Sequence, residues 1–348
     1  MITIEAANSE DRNGWNLVAN VSNGSAFFHR WEWLEIMENV MKYDVVKLLA
    51  REDKQIIGIF PGIVLPASRD KRLERETASK GMKEKIMEKY NILWSPPDTI
   101  AWTNGGPVAL PGKEDCIQNL FIEMAKIMKH RKDILDWKIS PMKNEIYEKY
   151  NKPAEVTAKC RPSLIIDLRK TEEELWHELD KTSHRNAIYQ AKKKGVEIHI
   201  SKSLDELKTG YQLLSEHAER IHMPLEPYEY YISLMKEFIE RDDARFYLAK
   251  HENEIIGILI VMFHNGIAYP AHIAVPRIHS KLRASNYILW YSILDAKSKG
   301  MDKYDLSGMP GDPTNGIYVF KKGFGGEMVN FNWYQKKFKL TTIRKIMN

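Results

Sequence analysis

Leu49-Ala50-Arg51-Glu52-Asp53-Lys54-Gln55-Ile56-Ile57-Gly58-Ile59 and Leu248-Ala249-Lys250-His251-Glu252-Asn253-Glu254-Ile255-Ile256-Gly257-Ile258 agree at six of eleven positions. Each stretch reads as a strand, a polar turn and a second strand. A unit that recurs along one chain points to a fold built twice. Working outward, each copy is preceded by an amphipathic helix, Phe28 to Met41 in the first and Tyr228 to Ile239 in the second. Each is followed by a further helix that leads into a short strand.

The second half is the more legible. Thr171 and Glu174 form a capping-box pattern that opens a helix running to Gly195. Val196, Ile198 and Ile200 alternate as a strand. Ser203 and Glu206 form a second capping box. Leu207, Tyr211, Leu214, Ala218 and Ile221 then follow at steps of four and three, which places them on one buried helix face. After Pro224 come the helix ending near Ile239, a hairpin from Ala244 to His264 and an Asn265-Gly266 turn. A strand from Ile267 to Ala274, a helix from Ala284 to Lys297 and the strand Tyr304-Asp305-Leu306-Ser307 complete the series. The order β, α, α, β, β, β, α, β, α, β resembles the N-acetyltransferase (GNAT) fold.

The first half follows the same plan, interrupted by the charged stretch from Ser68 to Lys89, which reads as a solvated surface excursion. The expectation is an α+β protein of two tandem GNAT-like domains, 1–160 and 161–348. Each would be a mixed, mostly antiparallel sheet flanked by helices, the second ending in a basic tail. The boundary falls between Tyr150 and Leu168, and the run Ser163 to Leu168 reads as a strand able to pair with either sheet.

Bulk properties agree. A chain of 348 residues, 43% hydrophobic and 28% charged, is long enough for two cores and is not disordered. Its longest apolar run, Ile255 to Phe263, is far short of a membrane helix. The N-terminus lacks the basic and apolar regions of a signal peptide, so a cytoplasmic location is expected. Cys116 and Cys160 lie far apart with no companion ligands, which argues for incidental thiols rather than zinc or a disulfide framework. A net charge of +5 does not by itself imply nucleic acid. The charge is uneven, because Lys321, Lys322, Lys336, Lys337, Lys339, Arg344 and Lys345 face only Glu327 from residue 317 onward. That end could meet a phosphate backbone, an anionic membrane surface or water.

Several stretches carry a more specific resemblance. Arg185 to Val196, Asn286-Tyr287-Ile288-Leu289-Trp290, Gly300 ahead of Tyr304 to Gly308, and Phe320-Lys321-Lys322-Gly323-Phe324-Gly325-Gly326 resemble, in order and spacing, the Fem family of aminoacyl-tRNA-dependent transferases. Members move an amino acid from its tRNA ester to an amine, usually on a peptidoglycan precursor. The resemblance implies charged tRNA as co-substrate, no bound cofactor and no metal. The donor ester is already activated, so such an enzyme must align the amine and stabilise the oxyanion that forms.

By the match, Phe320 and Lys321 occupy the place of the family's catalytic pair, the lysine neutralising charge and the ring packing against the terminal nucleotide. Arg220 and Tyr269 fall where acceptor-binding residues lie. Read from the residues alone, Lys321 and Lys322 are equally a helix end, Arg220 a solvated flank and Tyr269 a core side chain. Asp305 is a candidate proton acceptor or a cap of the following turn. His272 could bind substrate, and either His272 or His264 could act as a base or simply pack.

The place of the usual glycine-rich phosphate cradle holds His279 to Asn286, without glycine. Lys281, Arg283 and Asn286 there, together with Lys322, are the candidate donor-binding residues. One departure bears on the acceptor. Family members that bind a nucleotide-linked muramyl peptide carry a basic side chain just after a helix tryptophan, where this chain has Leu34-Glu35-Ile36-Met37 after Trp33. No long coiled-coil arm is inserted in the second half. No Ser-His-Asp or HExxH pattern supports covalent or metal-dependent chemistry. The alternatives are an acyl-coenzyme A-dependent N-acyltransferase and a non-catalytic scaffold.

Overall fold

The computed structural model describes residues 1–66, 99–104, 106–131, 134–138, 157–222 and 224–337. The expected excursion at Ser68 to Lys89 and the basic residues Lys339, Arg344 and Lys345 lie outside the described residues, as does the side chain of Cys160. The chain divides into two compact units. One is Met1–Cys160 together with the segment from Phe331 onward, and the other is Arg161–Asn330.

In the first unit β1 (Ile2–Ala6), β2 (Asp44–Glu52), β3 (Gln55–Pro66) and β4 (Thr99–Asn104) lie side by side, with the two-residue β5 (Val108–Ala109) against β3 and β6 (Ile134–Lys138) beside β4. All pairs are antiparallel except β4 with β6, which run parallel from Ile100–Ile134 to Asn104–Lys138. Helices α1 (Arg12–Val21), α2 (Trp31–Asn39) and α3 (Cys116–Arg131) bury Trp15, Leu34 and Leu120 against this sheet. Burial pushes the Cys116 thiol up to about 12, which keeps it protonated and unreactive.

The second unit repeats the arrangement. Strands β7 (Thr157–Asp167), β8 (Glu197–Ser201), β9 (Ala244–His251), β10 (Glu254–His264), β11 (Ile267–Ala274) and β12 (Lys303–Gly308) form a sheet in the order β8-β9-β10-β11-β12-β7. Again one pair is parallel, β11 with β12, and the others are antiparallel. The quoted repeat occupies equivalent hairpins. Both turns, Asp53-Lys54 and Glu252-Asn253, have two positive φ angles, as a two-residue mirror-image turn requires. Both hairpins also carry a bulge just after the turn, opposite Ala50-Arg51 in one and Ala249-Lys250 in the other.

The helices of this unit are α4 (Glu172–Glu178), α5 (Asn186–Lys193), α6 (Leu204–Arg220), α7 (Tyr228–Leu234), α8 (Ala284–Ser298) and α9 (Gly316–Lys322). Strand alternation sends Leu259, Val261 and Phe263 to the face covered by α5 and α8, where they pack with Ile188, Ile288 and Ile293. Ile258, Ile260 and Met262 face the other way, toward α6 and α7. There Gly210 lies so close to Ile258 that an added Cβ would sit 2.7 Å from its Cδ1.

Two expectations change. The helix read from Thr171 to Gly195 is broken. Its Thr171–Glu174 capping box is present, but Leu179 and Asp180 are extended, with ψ of 139° and 124°. The Asp180 carboxylate then accepts from the amides of Thr182 and Ser183 at 3.1 and 2.7 Å and starts a wide turn, Lys181–Arg185, before α5. The tie that decides the break is tertiary, since the Asp180 amide donates to the Gly323 carbonyl at 2.8 Å. The other change concerns the end of the chain. β13 (Glu327–Lys337) pairs antiparallel with β6 through Trp333 to Lys337, so the segment from Phe331 groups with the first unit, not with the second.

The loop after α9 is pinned to β7 by Gly326, whose φ is 81° and whose added Cβ would lie 2.6 Å from the Ile165 carbonyl oxygen. Backbone cannot yield there as a side-chain end could. Gly326→Ala is therefore expected to lower stability by roughly 2 kcal/mol or more, read as a shift in the urea midpoint. Gly300→Ala, also at positive φ but in open space, is the milder control.

Candidate active site

The parallel ladder between β11 and β12 covers only two pairs, Ile267–Lys303 and Ala268–Tyr304. Beyond it, Tyr269 pairs outward with Met262 and Asp305 pairs outward with Ile165. The two strands thus keep their outer neighbours and give up each other, opening the sheet at their C-terminal ends. Crevices at the carboxyl ends of parallel strands are common ligand sites. The equivalent pair in the first unit stays in register over five positions.

Side chains converge on this opening by strand alternation. Tyr304 and Leu306 enter the core under α8, so Asp305 faces the side of α6 and α7. A bulge on β11 lies between Tyr269 and His272, which stand opposite Met262 and Ile260. Without the extra residue these two, three apart, would face opposite ways. With it they share the face of Asp305.

Asp305 is buried, and its Oδ1 accepts from Ser163 Oγ at 2.7 Å and from the Ser307 amide at 2.8 Å. Ser307 has a left-handed backbone, φ 64°, within a bulge that sets Asp305 and Gly308 opposite Ile165 and Ser163. Asp305 therefore caps its own turn. Burial raises its pKa, against which work the Ser163 and Ser307 bonds and the charge of Lys321. Lys321, half-buried on α9, donates to the Gly308 carbonyl at 3.1 Å. Burial lowers its pKa, and the charge of Asp305 opposes that. Burial, with Asp305 adding to it, also raises the phenol of Tyr269.

A residue not singled out from the sequence holds α9 in place. The buried His184 lies 2.8 Å through Nε2 from the Phe320 carbonyl, which can only accept, so Nε2 carries the proton. Nδ1 lies 2.8 Å from Ser183 Oγ. Its ring meets Phe324 edge-on at 4.6 Å and lies 5.6 Å from that of Phe320. The approach is so close that a Cβ on Gly323 would sit 2.0 Å from His184 Cε1. The Phe320 ring is thus packed by His184 and Phe324, 5.3 Å away, where the resemblance implied stacking on a nucleotide. Arg185, next in sequence, has a buried Nε with no hydrogen-bond partner among the described residues. A lone histidine within a helical pattern gives no sequence signal for such a clamp.

The other candidates are not all brought together. Arg220 is exposed and donates to His217 Nδ1 at 2.9 Å. Lys281, Arg283 and Lys322 are exposed, and Asn286 is half-buried. Lys194 Nζ donates to the Lys281 carbonyl at 2.5 Å. Arg283 takes a left-handed backbone, φ 59°, at the start of α8, which has no side-chain cap. His264 is buried at the far end of β10. In the first unit Trp33 is buried with its ring 5.0 Å from that of Phe28, and the neighbouring Glu35 accepts from Trp31 Nε1. Among the described residues no three His, Cys, Asp or Glu side chains are grouped to hold a metal ion, and no helix is long and apolar enough to cross a membrane.

Comparison with known proteins places the fold. Residues 181–322 match the family model "Acetyltransferase (GNAT) domain". The chain is similar to the crystal structure of FemX at a TM-score of 0.68 and 13% identity, covering 95% of this chain and 96% of that one. It is also similar to the C-terminal domain of a putative lysylphosphatidylglycerol synthetase from Agrobacterium fabrum, with TM-score 0.56, 10% identity and coverage of 94% and 92%. A third is a tandem GNAT protein from the clavulanic acid biosynthesis pathway, with TM-score 0.52, 11% identity and coverage of 98% and 99%. No curated protein matches in sequence. The protein has the tandem GNAT fold, and the resemblance to the Fem family holds at the level of fold.

Burial holds the His184 pKa below its ordinary value of 6.5. The unfolded chain thus binds the extra proton at a higher pH than the folded one. The stabilising contribution of neutral His184 is complete above about 6.5 and is lost as pH falls toward the folded value. His184→Gln should flatten the decline of unfolding free energy between pH 7 and pH 5. The residual slope will include His29, His217 and His272, whose pKa values burial also lowers. An unchanged slope would remove His184 from this role.

Proposed function

We propose that the second unit is an acyltransferase that moves an aminoacyl group from charged tRNA to an acceptor amine, forming an amide. The observation that carries this reading is Lys321, half-buried on a helix end and electrostatically coupled to Asp305 where β11 and β12 part. A cation held by protein dipoles in a partly dry site stabilises an ester oxyanion far better than the same cation in water. The amine forms the C–N bond, the ester C–O bond breaks, and the ribose hydroxyl of the tRNA leaves with a proton. Gly308 and Asp305 keep Lys321 in place, and His184 holds the helix that carries it.

The donor is argued from the phosphate side. The turn before α8 has no glycine, and Arg283 and Lys281 project from it. Exposed basic side chains there suit a polyanion contacted from outside, and the fold shared with FemX and the lysylphosphatidylglycerol synthetase domain supports an aminoacyl donor. A second reading, an acyl-coenzyme A donor, is favoured by the match to the GNAT domain over residues 181–322 and by the uncapped amides at the start of α8.

Side-by-side binding decides between them. Charged tRNA should bind with an affinity that falls steeply with salt, whereas acetyl-coenzyme A raising the melting temperature would favour the second reading. Lys321→Met should cut single-turnover transfer by roughly 10²- to 10³-fold with little change in tRNA affinity. Transfer at the wild-type rate would remove Lys321 from the chemistry.

A further inference from the structure

The attacking amine enters as an ammonium ion and must lose a proton, and Asp305 is poorly suited to take it. Asp305 is buried and already accepts from Ser163 and Ser307. The same sheet face holds another group. His272 Nδ1 lies 3.3 Å from the Tyr231 hydroxyl, which lies 3.2 Å from Glu226 Oε2. A phenol has one proton to give, and the carboxylate can only accept. Tyr231 therefore donates to Glu226, and His272 Nδ1–H donates to the Tyr231 oxygen. Nε2 is left with its lone pair and with no partner among the described residues.

The surroundings hold this arrangement. The rings of Tyr230 and Tyr231 meet His272 at 6.0 and 5.1 Å, and Tyr211 packs on Tyr231 at 5.4 Å while donating to the Glu226 carbonyl. His272 and Tyr269 stand opposite Ile260 and Met262, a separation of about 7 Å along β10. The base and the end of the opening thus lie within one substrate's reach.

We propose that His272 Nε2 is the general base that deprotonates the acceptor amine, with Tyr231 and Glu226 as positioning residues that fix its tautomer. This rests on the aminoacyl-transfer reading. The ammonium loses two protons on its way to an amide. The first passes through Nε2 to solvent and frees the lone pair, and the second passes to Nε2 as the amine attacks and is returned to the leaving ribose oxygen, so the imidazole ends neutral. The groups facing His272 are Glu226 before α7, Tyr230 and Tyr231 on α7, and Tyr269 on its own strand, with Tyr211 on α6 behind Tyr231. Of these Glu226 alone carries charge near neutrality and favours the imidazolium, while burial favours the neutral ring.

The tautomer can be read without any donor, by nitrogen NMR of the full-length protein labelled at histidine, with the signal assigned by its loss in His272→Gln. Protonated Nδ1 with bare Nε2, moving toward the opposite tautomer in Tyr231→Phe, is the expected result. A proton on Nε2 in the wild type overturns the proposal. With charged tRNA and an amine acceptor, His272→Gln should lower kcat by roughly 10²-fold, leave the KM for charged tRNA unchanged and abolish the acid limb of the pH profile. Asp305→Asn should keep that limb, and the reverse pattern overturns the assignment. If the wild type uses no charged tRNA at all, the aminoacyl reading fails, and the NMR result still decides the state of His272.

Discussion

The organisation of the site depends on two parallel strands that pair for only two residues. Once the ladder between β11 and β12 ends at Ala268 and Tyr304, each strand keeps the partner on its other side. No further rung forms between the two strands, and backbone groups at such an opening are well placed to meet solvent or a ligand. Asp305, Tyr269 and Lys321 stand at that gap, and His272 lies further along β11 on the same face. The bulge on β11 decides which of them face the same way, and the bulge on β12 turns the Ser307 amide back onto Asp305.

Burying charge beside the gap is costly, and the structure offsets the cost locally. Asp305 has two hydrogen bonds and the field of Lys321, while Lys321 has the Gly308 carbonyl and the field of Asp305. Neither would be stable there alone. The arrangement also needs α9 to stay put. A seven-residue helix has little stability of its own, so the His184 bond to Phe320 and the Asp180 amide bond to Gly323 supply what propensity does not.

The two units show how a duplicated fold divides its work. Strand order, the hairpin turns and the bulge beside each of those turns coincide, and the parallel pair recurs in the same place. In the first unit that pair runs over five positions, and Glu35 beside Trp31 and Trp33 leaves α2 without the basic residue that muramyl-peptide binders carry. The chemistry proposed here therefore falls on the second unit, where the pair opens.

The sequence alone determined the repeated hairpin, the α6 cap at Ser203, the Asn265-Gly266 turn and the strand Ile267–Ala274. These depend on contacts between near neighbours, whose period and turn residues are written locally. It also singled out Lys321, Asp305, Tyr269 and His272 as candidates. Only tertiary structure decided which of them share a face, because a single bulge residue inverts strand alternation and leaves no compositional mark. The break at Asp180, the clamp by His184 and the pairing of β13 with β6 were likewise decided by partners more than a hundred residues away. Local propensity favoured one long helix there, and long-range hydrogen bonds overrode it.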